Sequence, residues 1–200
     1  MNRAFGWIAR IRLGSECGAQ LAEFAVALPL LVVFVVGIFD FSGALTLKQR
    51  LTTMARDAAR AAAAGPSNDL GSSAGSPASV RDVYYIVNNY MTANNMNDCG
   101  LTQSATPSGL TWTYTATGNG CPPAGLEIIV NRGYYYPITG GTPSAGCQSQ
   151  SPGAQTAVVS TCVSIKYAYP WKFSRAANLL GFSIMLPAQI SAAAVSVNEN

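Results

Sequence analysis

Apolar and polar positions fall into three regimes along this chain. From Phe24 to Phe39, sixteen residues pass without a charge, with Glu23 just before them and Asp40 just after. Next, Leu47, Leu51, Met54, Ala58 and Ala61 keep one apolar face at helical spacing, and Lys48, Arg50, Arg56, Asp57 and Arg60 fill the other positions. Ala61–Ala64 followed by Gly65-Pro66 stops the pattern. These two regimes predict one helix over residues 19–64, about 70 Å long at ~1.5 Å per residue. Pro29 removes a hydrogen bond to the carbonyl of Ala25, so a kink or local loosening is expected there.

The third regime begins with a Gly/Pro/Ser linker, residues 65–79. Ser79-Val80-Arg81-Asp82 reads as a capping box opening a short helix, with Val80, Val83, Tyr84, Val87, Tyr90 and Met91 on one face. Asn94–Asp98 ends it. Period-two alternation then predicts strands at Leu110–Ala116, Leu126–Val130 and Tyr134–Ile138. A Gly/Ser/Pro-rich loop spans 139–155. In the strand that follows, Val159, Thr161, Val163, Ile165 and Tyr167 share one face and Cys162 points the other way. A short helix around Ser174–Leu180 and a strand over Ala188–Val197 complete the pattern. With no repeated crossover helix, the sheet is expected to be antiparallel. The fold class is α+β: a long amino-terminal transmembrane and amphipathic helix leading into a small antiparallel-sheet head with short helices.

Sixteen residues are short for a membrane span, which takes about 20. Ala19–Ala22 and Phe41–Leu47 supply the length but admit Glu23 and Asp40. Those carboxylates stand roughly 25 Å apart along a helix, close to the thickness of a hydrocarbon core. Asp40 reads as an interfacial anchor; Glu23, set among Leu21, Ala22, Phe24 and Ala25, is an intramembrane carboxylate that needs a partner. A cleaved signal peptide is the competing reading, since Ser42-Gly43-Ala44 offers a small-x-small site. Against it stand the length of the apolar run and the helical pattern that continues beyond it.

Charge and composition narrow the function. Only 10% of residues are charged, and the formal net charge is +3. That excess lies in the first sixty residues; from residue 65 onward five Lys/Arg balance five Asp/Glu. A neutral head argues against nucleic acid. There is no histidine, which removes Ser-His-Asp and Cys-His catalysis and HExxH zinc sites. Neither an enzyme nor a cofactor is expected. Cys99, Cys121, Cys147 and Cys162 form an even set in a Gly/Ser/Thr/Asn-rich region, whereas Cys17 precedes the apolar run. Two disulfides in an oxidising compartment follow, with the sequential pairing Cys99–Cys121 and Cys147–Cys162 preferred over the two alternatives. Four buried free thiols are the other reading. A disulfide-bearing head belongs outside, so the basic flank carrying Arg3, Arg10 and Arg12 belongs inside.

The stretch Gly18-Ala19-Gln20-Leu21-Ala22-Glu23-Phe24 resembles a prepilin-peptidase site, in which a glycine ends the leader and the fifth residue after the cut is glutamate. Ala19–Pro29, Gly37-Ile38-Phe39-Asp40-Phe41, Gln49-Arg50-Leu51 and Ala55-Arg56-Asp57-Ala58-Ala59-Arg60 are together similar to TadE-like pseudopilins of the tight-adherence (type IVb) pilus. The resemblance covers roughly residues 15–64. A fainter echo lies in Lys166–Phe173 and the alanine-rich stretch near Glu199, and residues 65–155 carry none. It implies a minor pilin processed between Gly18 and Ala19. Glu23 and the aromatic Phe24 serve assembly. The implied partners are the prepilin peptidase, the major pilin and other minor pilins, the inner-membrane assembly platform and membrane lipid. The implied location is a single pass through the inner membrane with the head in the periplasm, or incorporation into an extracellular pilus. A cut there would leave an ammonium on Ala19, four residues from Glu23, and an ion pair in a low-dielectric bundle is favoured over a lone carboxylate. Leu47, Leu51, Met54 and Ala58 are expected to pack helices against neighbouring subunits.

On this reading the chain divides into a leader (1–18), the helix (19–64), the linker (65–79) and the head (80–200). The alternative is a glycan- or surface-binding adhesin processed near Ala44. Its candidate platform is Tyr134-Tyr135-Tyr136 with Tyr167, Tyr169 and Trp171, although strand aromatics more often pack in a sheet. A hydrolytic carboxylate pair among Asp69, Asp82, Asp98 and Glu127 is the remaining chemistry that needs no histidine.

Overall fold

The computed structural model describes residues 16–71, 75–138, 141–148, 157–179 and 185–199. The elements in order are α1 (Glu16–Ala64), α2 (Ala78–Ala93), β1 (Thr106–Ser108), β2 (Thr111–Ala116), β3 (Leu126–Pro137), β4 (Ala157–Ala168), α3 (Phe173–Leu179) and β5 (Gln189–Val197). The protein is α+β: a long apolar helix, then a five-stranded antiparallel sheet with short helices. The sheet is a meander in the order β1-β2-β3-β4-β5. Two compact units form. One holds α1 as far as Asp40 together with α3; the other holds Phe41–Trp171 and the chain from Met185. The leader arginines and most of the loop at 139–155 lie outside the described residues, as does Leu180 at the end of the expected short helix.

In the larger unit the core is built on α1. Leu51, Met54, Ala55, Ala58, Ala59 and Ala62 are buried, and Leu47 packs partly buried beside them. They meet Val80, Val83, Val87 and Met91 of α2, and Trp112, Tyr114, Leu126, Ile128, Val130, Val163 and Ile165 of the sheet. The alanines matter because a side chain without branches lets backbones approach closely, and packed interiors leave little room for anything larger. Alternation along β2 buries Trp112, Tyr114 and Ala116 and turns the threonines outward.

Four local expectations change. Ser79 does not cap α2: the helix starts at Ala78, Ser79 is buried within its first turn, and the amide of Ala78 donates to Asp69 Oδ2 at 2.8 Å. The linker itself supplies the capping carboxylate, so Asp82 is left exposed. Leu126–Val130 and Tyr134–Ile138 are not two strands but one, β3. Asn131-Arg132-Gly133 resembles a turn in sequence yet forms a bulge, three steps on β3 (Asn131 to Tyr134) opposing two on β4 (Cys162 to Ser160). The amide of Gly133 donates to Asn131 Oδ1 at 2.9 Å, and a side chain at Gly133 would strike Leu110, 2.6 Å from its Cδ1. Thr106–Ser108 pairs with β2 as a short edge strand that its sequence gave no reason to expect. Finally, Val159 is exposed although Val163 and Ile165 on the same strand are buried.

The bulge changes which face a side chain reaches. Beyond it, Tyr134 joins Ile129, Cys162 and Cys147 in a second buried cluster, and burial raises the pKa of its phenol. Cys147–Cys162 closes this cluster across 15 residues, and Cys99–Cys121 spans 22 residues near the end of α2. The pairing is the sequential one. Asn131 Nδ2 donates to the Cys147 carbonyl at 2.9 Å, tying the loop to the same bulge.

Arg132, also in the bulge, points to the carboxyl end of α1. Helices end with four carbonyls lacking intrahelical partners. Here Gly65 N serves Ala61 and Ala62 at 3.1 and 3.2 Å, and Glu199 N serves Ala63 at 3.4 Å. The Arg132 guanidinium donates to the Ala62 carbonyl, to Gly65 O at 3.0 Å, to Pro66 O at 3.3 Å and to Thr161 Oγ1 at 2.9 Å. A cation at a helix carboxyl end is favourable, and this one is almost fully buried. Burial lowers its pKa, and the charge of Asp69 opposes that shift. Arg132→Met strands these carbonyls and is expected to lower unfolding free energy by about 3 kcal/mol, with Arg132→Lys recovering part of it, as read by chemical denaturation.

Tyr114 gives the core a pH limit. Its hydroxyl donates to Val80 O at 3.0 Å in a fully buried position, and burial pushes its pKa from 10.0 up to about 12. The folded state thus holds a proton that the unfolded chain releases above its ordinary value. Stability from this group is complete below pH ~10 and falls by about 2–3 kcal/mol as pH rises to ~12. Comparing the alkaline limbs of wild type and Tyr114→Phe by thermal melts should show a shallower limb in the variant.

Candidate functional site in the amino-terminal segment

The feature that sets α1 apart is what its first half leaves uncovered. Leu21, Phe24, Val26, Leu28, Leu30, Leu31, Val32, Phe34, Val35, Ile38 and Phe39 are all exposed, Val26 at 78% and Phe39 at 74%. Monomeric soluble proteins rarely expose apolar surface of this extent. The helix is long and apolar enough to cross a membrane, and it runs without interruption through Pro29. A proline inside a helix forfeits one backbone bond; the flanking leucines and valines keep the helix supplied with residues suited to lipid.

At the start of this surface lie the residues singled out for processing and assembly. Gly18 is helical and exposed, and Glu23 and Phe24 are exposed on the same helix. Ala19 is helical too; its side chain lies outside the described residues. Ala19 and Glu23, four apart, fall on one face of α1. The competing cleavage site is placed differently: Ala44 is buried within α1, and a side chain at Gly43 would come 2.7 Å from the Tyr169 hydroxyl.

Leu51, Met54 and Ala58, expected to contact neighbouring subunits, instead sit in this chain's own core with no exposed surface. The periodicity that marked them as an interface was correct about the apolar face. It could not tell an intramolecular partner from an intermolecular one, because both demand the same spacing.

Asp40 takes a part that sequence reasoning missed. Rather than only anchoring the helix at an interface, its Oδ2 accepts from the backbone amides of Lys172 and Phe173, each at 2.8 Å, and the residue is buried. A carboxylate on the first amides of α3 satisfies donors that a short helix leaves open. Gly37, one turn earlier, leaves room for the Phe173 ring, which would lie 2.9 Å from any Cβ there. The pairing joins positions 132 residues apart. Its one local signal was a charged residue at the end of an apolar run.

The other candidate chemistry is dispersed. Glu127 pairs with Lys166 at 2.7 Å across β3 and β4, and Asp69 caps α2. Among the described residues no three Cys, Asp or Glu side chains converge as metal ligands. The tyrosines divide: Tyr134 is buried, Tyr135 exposed, and the Tyr167 hydroxyl donates to Asn97 O at 2.9 Å, with burial raising its pKa.

With this geometry in view, comparison with known families is decisive for one stretch. Residues 18–60 match the model of the family described as TadE-like protein. Over that stretch the chain is similar to TadE-like proteins. The TadE-like segment runs from the candidate cut site, through the exposed apolar surface and Asp40, to the buried face of α1 that ends in Ala58 and Ala59. The match points to a protein associated with the tight-adherence pilus. None of the curated proteins and none of the solved structures compared with the chain matches it.

Asp40→Ala is expected to speed hydrogen exchange at the Lys172 and Phe173 amides and to cost about 1 kcal/mol locally, without altering the far larger core of the other unit. Residue-resolved exchange by NMR or mass spectrometry reads this directly.

Proposed function

We propose that this protein is a minor pilin or pseudopilin, a structural subunit of a type IV-like tight-adherence pilus and not an enzyme. It inserts with its amino terminus inside, is cut between Gly18 and Ala19 by the prepilin peptidase, and enters the pilus or its inner-membrane platform through its amino-terminal helix. The major pilin and other minor pilins are its neighbours, membrane lipid surrounds the helix before assembly, and the disulfide-bonded head lies in the periplasm or on the filament. The observation that carries the reading is the coincidence, within the TadE-like stretch, of an accessible Gly18, Glu23 at the position a freed Ala19 ammonium would meet, and an uncovered apolar helix. The Ala19–Glu23 ion pair sets the register in which helices dock, since a carboxylate left alone in hydrocarbon is costly. The two disulfides agree with an oxidising compartment.

The adhesin reading, with release near Ala44, gains no support from a cut site buried within a helix. Mass spectrometry of the mature chain is expected to find Ala19 at the terminus. Glu23→Ala is expected to abolish incorporation into pili. A mature start at Leu45, or normal assembly of the Glu23→Ala variant, would overturn the proposal.

A further inference from the structure

Three aromatic side chains that neither buried cluster absorbs converge beside the helix. The rings of Phe41 and Trp171 lie 5.3 Å apart, and those of Tyr169 and Trp171 lie 4.8 Å apart in an edge-on arrangement. The Trp171 indole N–H donates to Pro187 O at 2.7 Å, and the backbone amide of Tyr169 donates to Ala188 O at 3.1 Å. The ends of β4 and β5 are thereby fixed around Phe41. The neighbourhood remains open: Phe41 is 45% exposed and Leu45 64%, and Met185, two residues before Pro187, is fully exposed.

We propose that Phe41, Tyr169 and Trp171 form a lipid-contact surface seated at the headgroup–acyl boundary of the outer side of the membrane that α1 crosses. This rests on the membrane-spanning reading of α1. Phe41 is the first residue after Asp40, and Asp40 stands about 25 Å along the helix from Glu23, roughly one hydrocarbon thickness. A carboxylate pair spaced that way places Phe41 at the far boundary, the level at which tryptophan and tyrosine are enriched because their rings are apolar and their tips polar. In sequence, Phe41 follows the exposed apolar run from Leu21 to Phe39 with only Asp40 between them. A sugar is a poorer occupant: the Trp171 N–H is already committed to Pro187, and the Tyr169 hydroxyl lies over Gly43. The aromatic surface then adds a second lipid contact to the helix.

Depth-dependent fluorescence quenching tests this on the full chain reconstituted in phosphatidylcholine vesicles whose acyl chains carry bromine near the headgroup or near the methyl end. Trp7→Phe removes the leader tryptophan, and Trp112 is buried in the core. The difference in emission between the Trp7→Phe and Trp7→Phe/Trp171→Phe proteins isolates Trp171 without disturbing Trp112. Phe34→Trp in the latter background reports the helix itself. Trp171 should lose most emission to the shallow bromines, and the probe at position 34 to the deep ones. Quenching at position 34 with none at Trp171 would overturn the lipid surface while leaving the span intact, and would point to water or another subunit as its neighbour. Quenching of Trp171 chiefly by deep bromines overturns the proposed level. Absence of quenching at both positions removes the span and the proposal together.

Discussion

Much of this structure follows from one demand: the small-residue face of α1, from Leu51 to Ala62, must be buried. It is a poor face on its own. Alanine contributes little apolar area, so burial is worthwhile only if backbones come close and larger partners fill the remaining space. Val80, Val83, Val87 and Met91 on α2 and Trp112, Tyr114, Ile128 and Ile165 on the sheet supply that volume. The bulge in β3 then turns Arg132 onto the last carbonyls of the helix, so the end of α1 is closed by a side chain from the middle of the sheet. Helix, bulge and sheet are thus solutions to a single packing problem.

The same helix carries a second, opposite surface character in its first half, where leucine, valine and phenylalanine dominate and stay uncovered. Large branched and aromatic side chains suit lipid, and small ones suit close packing in a core. Residue size along α1 thus changes where its burial changes. The TadE-like stretch, residues 18–60, includes both characters. The matched stretch extends beyond the exposed apolar part of α1 into the part of the helix on which the larger unit is built.

Legibility in the sequence tracked the range of the interactions involved. The long helix, the amphipathic face of α2, the strands at Trp112–Ala116 and Thr161–Ile165 and the antiparallel arrangement all rest on local periodicity, and all were visible. The strand was split between Val130 and Tyr134 because a bulge and a turn use similar residues, and only the partner strand distinguishes them. Asp69 as the cap of α2 and Asp40 as the cap of α3 were invisible for a similar reason: each carboxylate serves amides that local pattern does not connect to it. Leu51, Met54 and Ala58 were assigned to the right face, which the chain buries in its own core. The readings of Gly18 and Ala19 as candidate processing residues and of Glu23 as a candidate assembly residue rest on family resemblance and helix spacing, since an exposed glycine and glutamate have no packing signature of their own.

The central claim is that α1 divides its two surfaces between two kinds of neighbour, its own head from Leu51 onward and the surroundings before Phe39. Site-specific photocrosslinking in cells that assemble the pilus tests it most directly, with a photoreactive phenylalanine placed in turn at Phe34 and at Met54. Products from position 34 should contain lipid or another chain, and those from position 54 should remain within the same chain. Crosslinks from position 54 to a second subunit would contradict the account.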